Sequence, residues 1–251
     1  MKPAIKLFLL LALLLFFHVS CAGVHLFSDP ADYRILEKGY RAADGQVMAY
    51  DLFIPRQNNS KERFPLVVSL PGSGVKIKKQ MDLWTESALR NRVMVLTPQW
   101  SDLKSKEKRP GVIFHLVEMV AYRYPVDAER IYLSGDSAGA GIAMRLFGNQ
   151  PNFWKAAIFV ASPGKARFDL MNVLKDRETP PPILFVHGER DEGFLYSSLV
   201  RDIEMFKQKG VDVELISDPE AGHTHKKEWN EKIFGWIAKK TDARSKIQDT
   251  R

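Results

Sequence analysis

The sequence predicts an α/β fold with a mostly parallel central sheet and helices on both faces. Three runs are apolar throughout instead of alternating with polar residues: "PLVVSL" at 65–70, "AAIFVAS" at 156–162 and "PILFVHG" at 182–188. Such runs are typical of strands that are buried on both faces of a sheet. Strand and helix patterns alternate from residue 65 to residue 240, as they do in crossover connections. A chain of 251 residues is long enough to form one domain with a large core.

The predicted elements follow one another in a regular order. Residues 34–40 and 46–54 form an antiparallel strand pair, joined by a turn that contains Asp-Gly. Further strands are predicted at 65–70, 93–98, 130–135, 156–162, 182–188 and 211–217. Helical spacing of apolar residues is found at 81–91, 111–124, 140–149, 197–210 and 227–240.

The N-terminus is typical of an export signal. A short basic start is followed by eleven apolar residues, 7–17, which are too few to span a bilayer comfortably but suit the apolar core of a secretory signal. We therefore divide the chain into a signal peptide (1–20), an N-terminal linker (21–32), an α/β domain (33–240) and a polar tail (241–251).

Cys21 is the only cysteine, so a mature exported chain contains no internal disulfide. The segment "HVSC" resembles the lipobox of bacterial lipoproteins, in which the cysteine is lipidated and becomes the new N-terminus, although His18 departs from the usual aliphatic residue. The expected location is the periplasm or cell envelope, with a membrane contact only through a lipid on Cys21. Two alternatives remain: cleavage after Ala22, which gives a soluble secreted protein, and an uncleaved anchor.

The formal net charge is +7. The lysines are scattered and no nucleic-acid motif is present, so binding of nucleic acid is not expected. Two basic stretches, 76–79 and 104–109, lie next to predicted strand ends. These stretches either attract an anionic substrate or are simply part of a solvated, lysine-rich surface.

The segment "GDSAG" contains the pattern Gly135-x-Ser137-x-Gly139 between a strand and a helix. This is the nucleophile elbow in its required context: a serine exposed in a strained turn, with flanking positions where only very small residues fit. A serine hydroxyl is a poor nucleophile until a base takes its proton. Asp191 follows the predicted strand at 182–188 and His223 follows the one at 211–217, in the chain order Ser, Asp, His that belongs to this architecture.

The chain resembles the α/β-hydrolases, in particular compact esterases and the catalytic domains of dienelactone-hydrolase-like and prolyl-oligopeptidase-like enzymes. The segments that carry the resemblance are "PLVVSLPGSG", "DAERIYLSGDSAGAG", "PILFVHGERDEGF" and "ISDPEAGHT". It implies Ser137 as nucleophile, His223 as general base and then acid, and Asp191 as the residue that orients the imidazole.

Other residues near these positions are alternatives. His225 and His187 could serve as the base, although a histidine at the position of His187 is usually structural in this family. Glu189 or Glu192 could be the acid instead of Asp191. Three further residues are not expected to take part: Asp136 should point away from the serine, His25 should lie on the surface and His115 on a buried helix.

The oxyanion hole requires two donors, and the resemblance implies the backbone N–H of Ala138 as one of them. The other is expected from Gly72, Ser73 or Gly74, with Ser73 preferred. The family usually has His-Gly where this chain has Pro71-Gly72, which changes how that loop is anchored.

These residues predict a serine esterase that needs no cofactor or metal. The interval 163–181 has room for one short helix but not for a cap domain, so the site should be shallow and open. A small ester, or an ester on a polar molecule such as a polysaccharide, is the expected substrate. The alternatives are a serine peptidase of the same fold, thioesterase or other acyl-transfer chemistry, and a binding protein that has lost activity.

Overall fold

Eight strands form a single sheet in the computed structural model, which describes residues 32–175 and 179–248. The strands are β1 (Tyr33–Arg41), β2 (Val47–Pro55), β3 (Phe64–Leu70), β4 (Met94–Pro98), β5 (Val126–Asp136), β6 (Ala156–Val160), β7 (Ile183–Gly188) and β8 (Val213–Asp218). Their order across the sheet is β1-β2-β4-β3-β5-β6-β7-β8. Strand β2 is antiparallel to both of its neighbours, and all pairs from β4 to β8 are parallel. The predicted fold class is confirmed.

Helices cover both faces of the sheet. They are α1 (Ile77–Arg90), α2 (Arg109–Arg123), α3 (Ala138–Asn149), α4 (Gly164–Leu174), α5 (Tyr196–Gln208) and α6 (Trp229–Gln248). Buried residues of α2 to α5 pack in one hydrophobic cluster, whereas those of α1 and α6 pack in a second cluster. The sheet separates the two clusters.

The apolar runs explain this arrangement. In β3, Leu66 and Val68 belong to the first cluster and Val67 to the second. The same division occurs in β7, where Phe185 and Leu184 point to opposite faces. Because successive strand side chains alternate between faces, a strand with a helix layer on each side is apolar at most positions on both faces.

Three details differ from the sequence-based expectation or refine it. The described part of the interval between β6 and β7 contains α4 and no cap domain. Helix α6 continues to Gln248, into the predicted polar tail, because residues 241–248 contain no glycine or proline to end it. His115 was expected to be buried, but its side chain is exposed on α2 and contacts Glu118, so that expectation is wrong.

The signal peptide, almost all of the linker, Cys21 and His25 lie outside the described residues. Within 32–175 and 179–248, no helix combines the length and the apolarity needed to cross a membrane.

Candidate active site

Ser137 stands between the end of β5 and the first residue of α3, at the carboxyl edge of the sheet. Its φ is 52° and its ψ is −117°, a conformation that is uncommon for a residue with a side chain. The surrounding chain holds it there, since the Ser137 N–H donates to the carbonyl oxygen of Val160 at 2.9 Å. The turn therefore presents the serine side chain at the sheet edge.

The two glycines of the elbow are required by close backbone contacts. A Cβ atom on Gly135 would lie 2.6 Å from the carbonyl oxygen of Gly139. A Cβ atom on Gly139 would overlap the carbonyl oxygens of Leu70 and Pro71. Strand β3, strand β5 and helix α3 can meet around Ser137 only because these side chains are missing.

The structure brings Ser137, His223 and Asp191 together in one hydrogen-bonded chain. The Nε2 atom of His223 lies 2.9 Å from Ser137 Oγ, and its Nδ1 atom lies 2.7 Å from Asp191 Oδ2. The carboxylate accepts a hydrogen bond from the Nδ1–H group, which leaves the Nε2 lone pair facing the serine hydroxyl. This is the tautomer in which an imidazole can act as a general base toward serine.

The Asp191 side chain is buried but accepts several hydrogen bonds. Its Oδ1 atom accepts the N–H groups of Gly193 and Phe194, at 2.8 and 2.9 Å, while Oδ2 faces His223. Burial alone raises the pKa of the Asp191 carboxyl, but the hydrogen bonds from Phe194, His223 and Gly193 outweigh it and hold the pKa below its ordinary value. The carboxylate therefore stays ionised at neutral pH.

The loop of Asp191 and the loop of His223 cross each other. A Cβ atom on Gly188 would overlap the carbonyl oxygens of Ala221 and Gly222, directly before His223. The backbone of Arg190 also donates to the carbonyl oxygen of Ala221 at 2.9 Å. These contacts fix the separation between the acid and the imidazole.

The predicted oxyanion-hole segments also lie beside Ser137. A Cβ atom on Gly72 would lie 3.6 Å from Ser137 Cβ, so the loop of Gly72, Ser73 and Gly74 passes next to the serine. Gly74 adopts a φ of 74°, and the Val75 N–H closes the turn on the carbonyl oxygen of Gly72. Ala138 opens α3, where the first N–H groups have no acceptor within the helix.

Trp100 supplies the anchor of this loop, and the sequence did not predict that role. Its Nε1–H donates to the carbonyl oxygen of Pro71 at 2.7 Å. The position of Trp100 directly after β4 is the sequence signal for proximity to the site, but the identity of its acceptor cannot be read from spacing.

A second histidine lies close behind the elbow. His225 is buried, and its Nδ1 and Nε2 atoms lie 2.8 Å from Asp136 Oδ2 and 2.8 Å from Asn230 Oδ1. The Asn230 Nδ2–H donates to the carbonyl oxygen of Leu83, which fixes the amide so that its oxygen faces the ring. Both ring nitrogens therefore face acceptors, and only a protonated ring can donate to both of them.

The pKa of His225 reflects two opposed effects. Burial lowers it, but the charge and hydrogen bond of Asp136, helped by the hydrogen bond to Asn230, raise it above its ordinary value. With both nitrogens bonded away from Ser137, His225 is not placed to act as the base. The pair between Asp136 and His225 joins residues 89 positions apart, so no local motif could have indicated it.

The remaining alternatives are also occupied or directed away from the serine. His187 is fully buried and its Nε2 atom lies 2.7 Å from the carbonyl oxygen of Phe194, a contact that holds the Asp191 loop. Burial lowers the pKa of His187 and keeps the ring neutral. Glu189 accepts a hydrogen bond from Ser217 at 2.6 Å, and Glu192 is exposed.

The described residues contain no cluster of three or more His, Cys, Asp or Glu side chains that could hold a metal ion.

Known proteins resemble this chain in part of its sequence and in its fold. Residues 164–244 match the prolyl oligopeptidase family. A comparison with curated protein sequences finds no significant match.

Three solved structures illustrate the similarity. The S-formylglutathione hydrolase FrmB of Staphylococcus aureus superimposes with a TM-score of 0.72 at 13% identity, covering 86% of this chain and 99% of that one. A thermostable esterase gives a TM-score of 0.65 at 21% identity, with 82% and 62% covered. A prolyl endopeptidase gives 0.66 at 11% identity, with 86% of this chain and 40% of that one covered. The chain thus has the α/β-hydrolase fold, as its sequence motifs indicated.

Proposed function

We propose that the protein is a serine hydrolase that cleaves carboxylic esters through an acyl-enzyme on Ser137. The observation that carries the proposal is the hydrogen-bonded chain from Asp191 through His223 to Ser137, with distances of 2.7 and 2.9 Å. The fold of the esterase and S-formylglutathione hydrolase structures supports the same chemistry.

The first half of the reaction forms the acyl-enzyme. His223 Nε2 takes the hydroxyl proton as Ser137 Oγ attacks the ester carbonyl carbon, and Asp191 stabilises the resulting imidazolium. The N–H of Ala138 and a donor from the loop of Ser73 and Gly74 stabilise the negative oxygen. His223 then gives the proton to the leaving alcohol oxygen as the carbon–oxygen bond breaks.

The second half returns the enzyme to its starting state. His223 takes a proton from a water molecule, whose oxygen attacks the acyl carbon. The tetrahedral intermediate collapses, Ser137 regains its proton from His223 and the carboxylic acid leaves. The side chain of His223 is 41% exposed, so water reaches it without any movement of the protein.

The open site favours a small ester, or an ester group on a larger polar molecule, over a lipid at an interface. The described residues between β6 and β7 form only α4, which leaves no cap to enclose a long acyl chain. Faster hydrolysis of emulsified long-chain lipid than of short soluble esters would contradict this preference.

A peptide amide is the second candidate substrate, because residues 164–244 match the prolyl oligopeptidase family. Both chemistries use the same acyl-enzyme. A panel of 4-nitrophenyl esters and 4-nitroanilide peptides, assayed with the same protein, separates them by the ratio of kcat/KM.

The nucleophile is tested by covalent labelling with a fluorophosphonate probe. We expect the wild type to be labelled and both Ser137→Ala and His223→Ala to lose the label, because the probe reacts only with an activated serine. Ser105→Ala and His115→Ala are matched controls, since both side chains lie outside the hydrogen-bonded chain of the site. A folded wild type without label would favour a binding protein that has lost activity.

We further propose that the chain is exported and anchored at the cell envelope by a lipid on Cys21. The support is the apolar stretch 7–17 and the segment "HVSC". Metabolic labelling with palmitate, compared between the wild type and Cys21→Ser, tests the anchor. Unlabelled, soluble wild type would favour simple secretion.

A further inference from the structure

A groove of about 410 Å³ runs along the surface between α3 and α4. On the α3 side it begins at Ala138, the residue after the nucleophile, and continues through Ile142 to Arg145. Leu170 and Val173 of α4 form the opposite wall. Its lining is mostly apolar, and the end at Ala138 adjoins the N–H group that we propose as an oxyanion donor.

The rim of the groove is cationic. Four basic side chains line it, and the one carboxylate among the lining residues is already paired. They are Lys106, Arg109, Arg145 and Lys165, with Asp169 bonded to Lys165 at 2.9 Å.

Arg109 and Lys165 already contact other parts of the protein, whereas Arg145 and Lys106 do not form such close contacts. Arg109 donates from Nε and Nη2 to the carbonyl oxygen of Leu103 and lies over the ring of Trp100. Arg145 and Lys106 are exposed, and neither forms a hydrogen bond or a close ion pair with any residue that the structure describes, although the exposed Glu107 carboxylate is near enough to interact electrostatically with both. They can therefore bind an anion that enters the groove.

The acyl part and the alcohol part of an ester substrate must lie on different sides of Ser137. The leaving oxygen must receive its proton from His223, so the alcohol part lies on the side of that ring. The groove is lined by α3, α4 and the segments around Trp100 and Pro163, with no residue from the His223 loop. The acyl part of the substrate is thus the part that reaches the groove.

We infer that the groove binds an acyl chain that ends in a carboxylate, and that Arg145 and Lys106 select it by charge. This inference rests on the proposed ester hydrolysis and adds the substrate class. Ala138 and Arg145 are seven residues apart on α3, which corresponds to about 10 Å of helix. A six-carbon dicarboxylic acyl chain and the flexible Arg145 side chain together span that distance.

The test compares two esters of six-carbon acids that differ only at the far end of the acyl chain, a methyl group in 4-nitrophenyl hexanoate and a carboxylate in the mono-4-nitrophenyl ester of adipic acid. We expect the wild type to hydrolyse the anionic ester with a kcat/KM about tenfold higher, as two exposed ion pairs allow. Arg145→Gln combined with Lys106→Gln should reduce that ratio to about one while changing hexanoate hydrolysis by less than about twofold. Raising the salt concentration to about 1 M should also remove the preference, because it shortens the Debye length to about 3 Å.

Lys104→Gln is the matched control, since Lys104 is exposed in the same basic stretch but does not line the groove. A wild type without preference for the adipate ester, or a preference that survives in the double variant, would overturn the inference and leave the esterase proposal intact. A wild type that cleaves neither ester and takes no fluorophosphonate label would overturn the esterase proposal and this inference with it.

Discussion

Ser137 combines a strained backbone with a hydrogen-bonded side chain. A φ of 52° at a residue with a Cβ atom costs on the order of 1–3 kcal/mol, which the rest of the fold has to offset. Arg92 and Ala161 also have a positive φ, but Ser137 combines this backbone with a hydroxyl that faces His223. A structural turn without a reacting group would be served better by glycine at this position.

Asp191→Asn tests how much the carboxylate contributes. An amide at this position can present its NH₂ group to His223 and favour the wrong tautomer, so we expect kcat to fall by about 10⁴ with little change in KM. Steady-state kinetics on a 4-nitrophenyl ester provides the measurement. A loss of less than about tenfold would show that His223 does not depend on this carboxylate.

Ser137, His223 and Asp191 could be predicted from the sequence because each follows a strand, and strand ends meet at one edge of a parallel sheet. The sequence did not predict the pair of Asp136 and His225. That contact depends on how the His223 loop folds back over β5, and no periodicity or spacing encodes a loop path.

Helix α3 fits against β3 and β5 because its first turn carries almost no side-chain volume. The element therefore depends on Gly135 and Gly139, as the crossing of the Asp191 and His223 loops depends on Gly188, whereas a glycine in open space carries no such constraint. Gly235, for example, lies exposed on α6 with open space around its Cα.

Gly139→Ala and Gly235→Ala form a matched pair. We expect Gly139→Ala to lower the free energy of unfolding by about 1–3 kcal/mol or more and to abolish labelling, because the methyl group meets backbone oxygens that cannot move aside. Gly235→Ala should raise the free energy of unfolding by about 0.5–1 kcal/mol through better helix propensity. Urea denaturation of both variants gives the values, and equal effects would contradict the packing argument.

At the same scale, strands were easier to predict than helix ends. The buried strands are apolar at most positions, with Ser69, Thr97 and His187 among the exceptions, and solvent-exposed segments do not maintain this pattern. The end of α6 was harder to predict, because residues 241–248 are mostly polar and show no apolar periodicity, yet the helix continues to Gln248. Helix α4 was expected only as a possibility, since its interval contains several polar residues and no strong start signal.

The stability of the whole molecule should depend on pH in two opposite ways. The pKa of Asp191 is lowered in the folded state, and that of Asp218, beside Lys226, is lowered to about 2. A lowered folded pKa stabilises the protein above the unfolded pKa, and this stability is lost as pH falls through the folded value. The raised pKa of His225 acts in reverse: its contribution is complete below the unfolded pKa and is lost as pH rises through the folded value.

We therefore expect the melting temperature to decline both below about pH 4 and on the alkaline side of about pH 6.5. His225→Asn should remove the alkaline decline and lower the free energy of unfolding by about 3 kcal/mol, because Asp136 is left buried without its cation. Thermal unfolding followed by circular dichroism across pH provides the curve for both proteins. An alkaline decline that persists in His225→Asn would show that another group causes it.

Ser137 and His223 are separated by 86 residues, and the crossing at Gly188 fixes His223 only after the last strand has joined the sheet. Folding consequently brings His223 to Ser137 late. If Ser137 and His223 act as proposed, a polypeptide that is still being synthesised, or is threaded unfolded through a membrane, has a serine without its base. The proposed hydrolysis would then begin only where the whole domain has folded, so the location of folding would also determine where the activity appears.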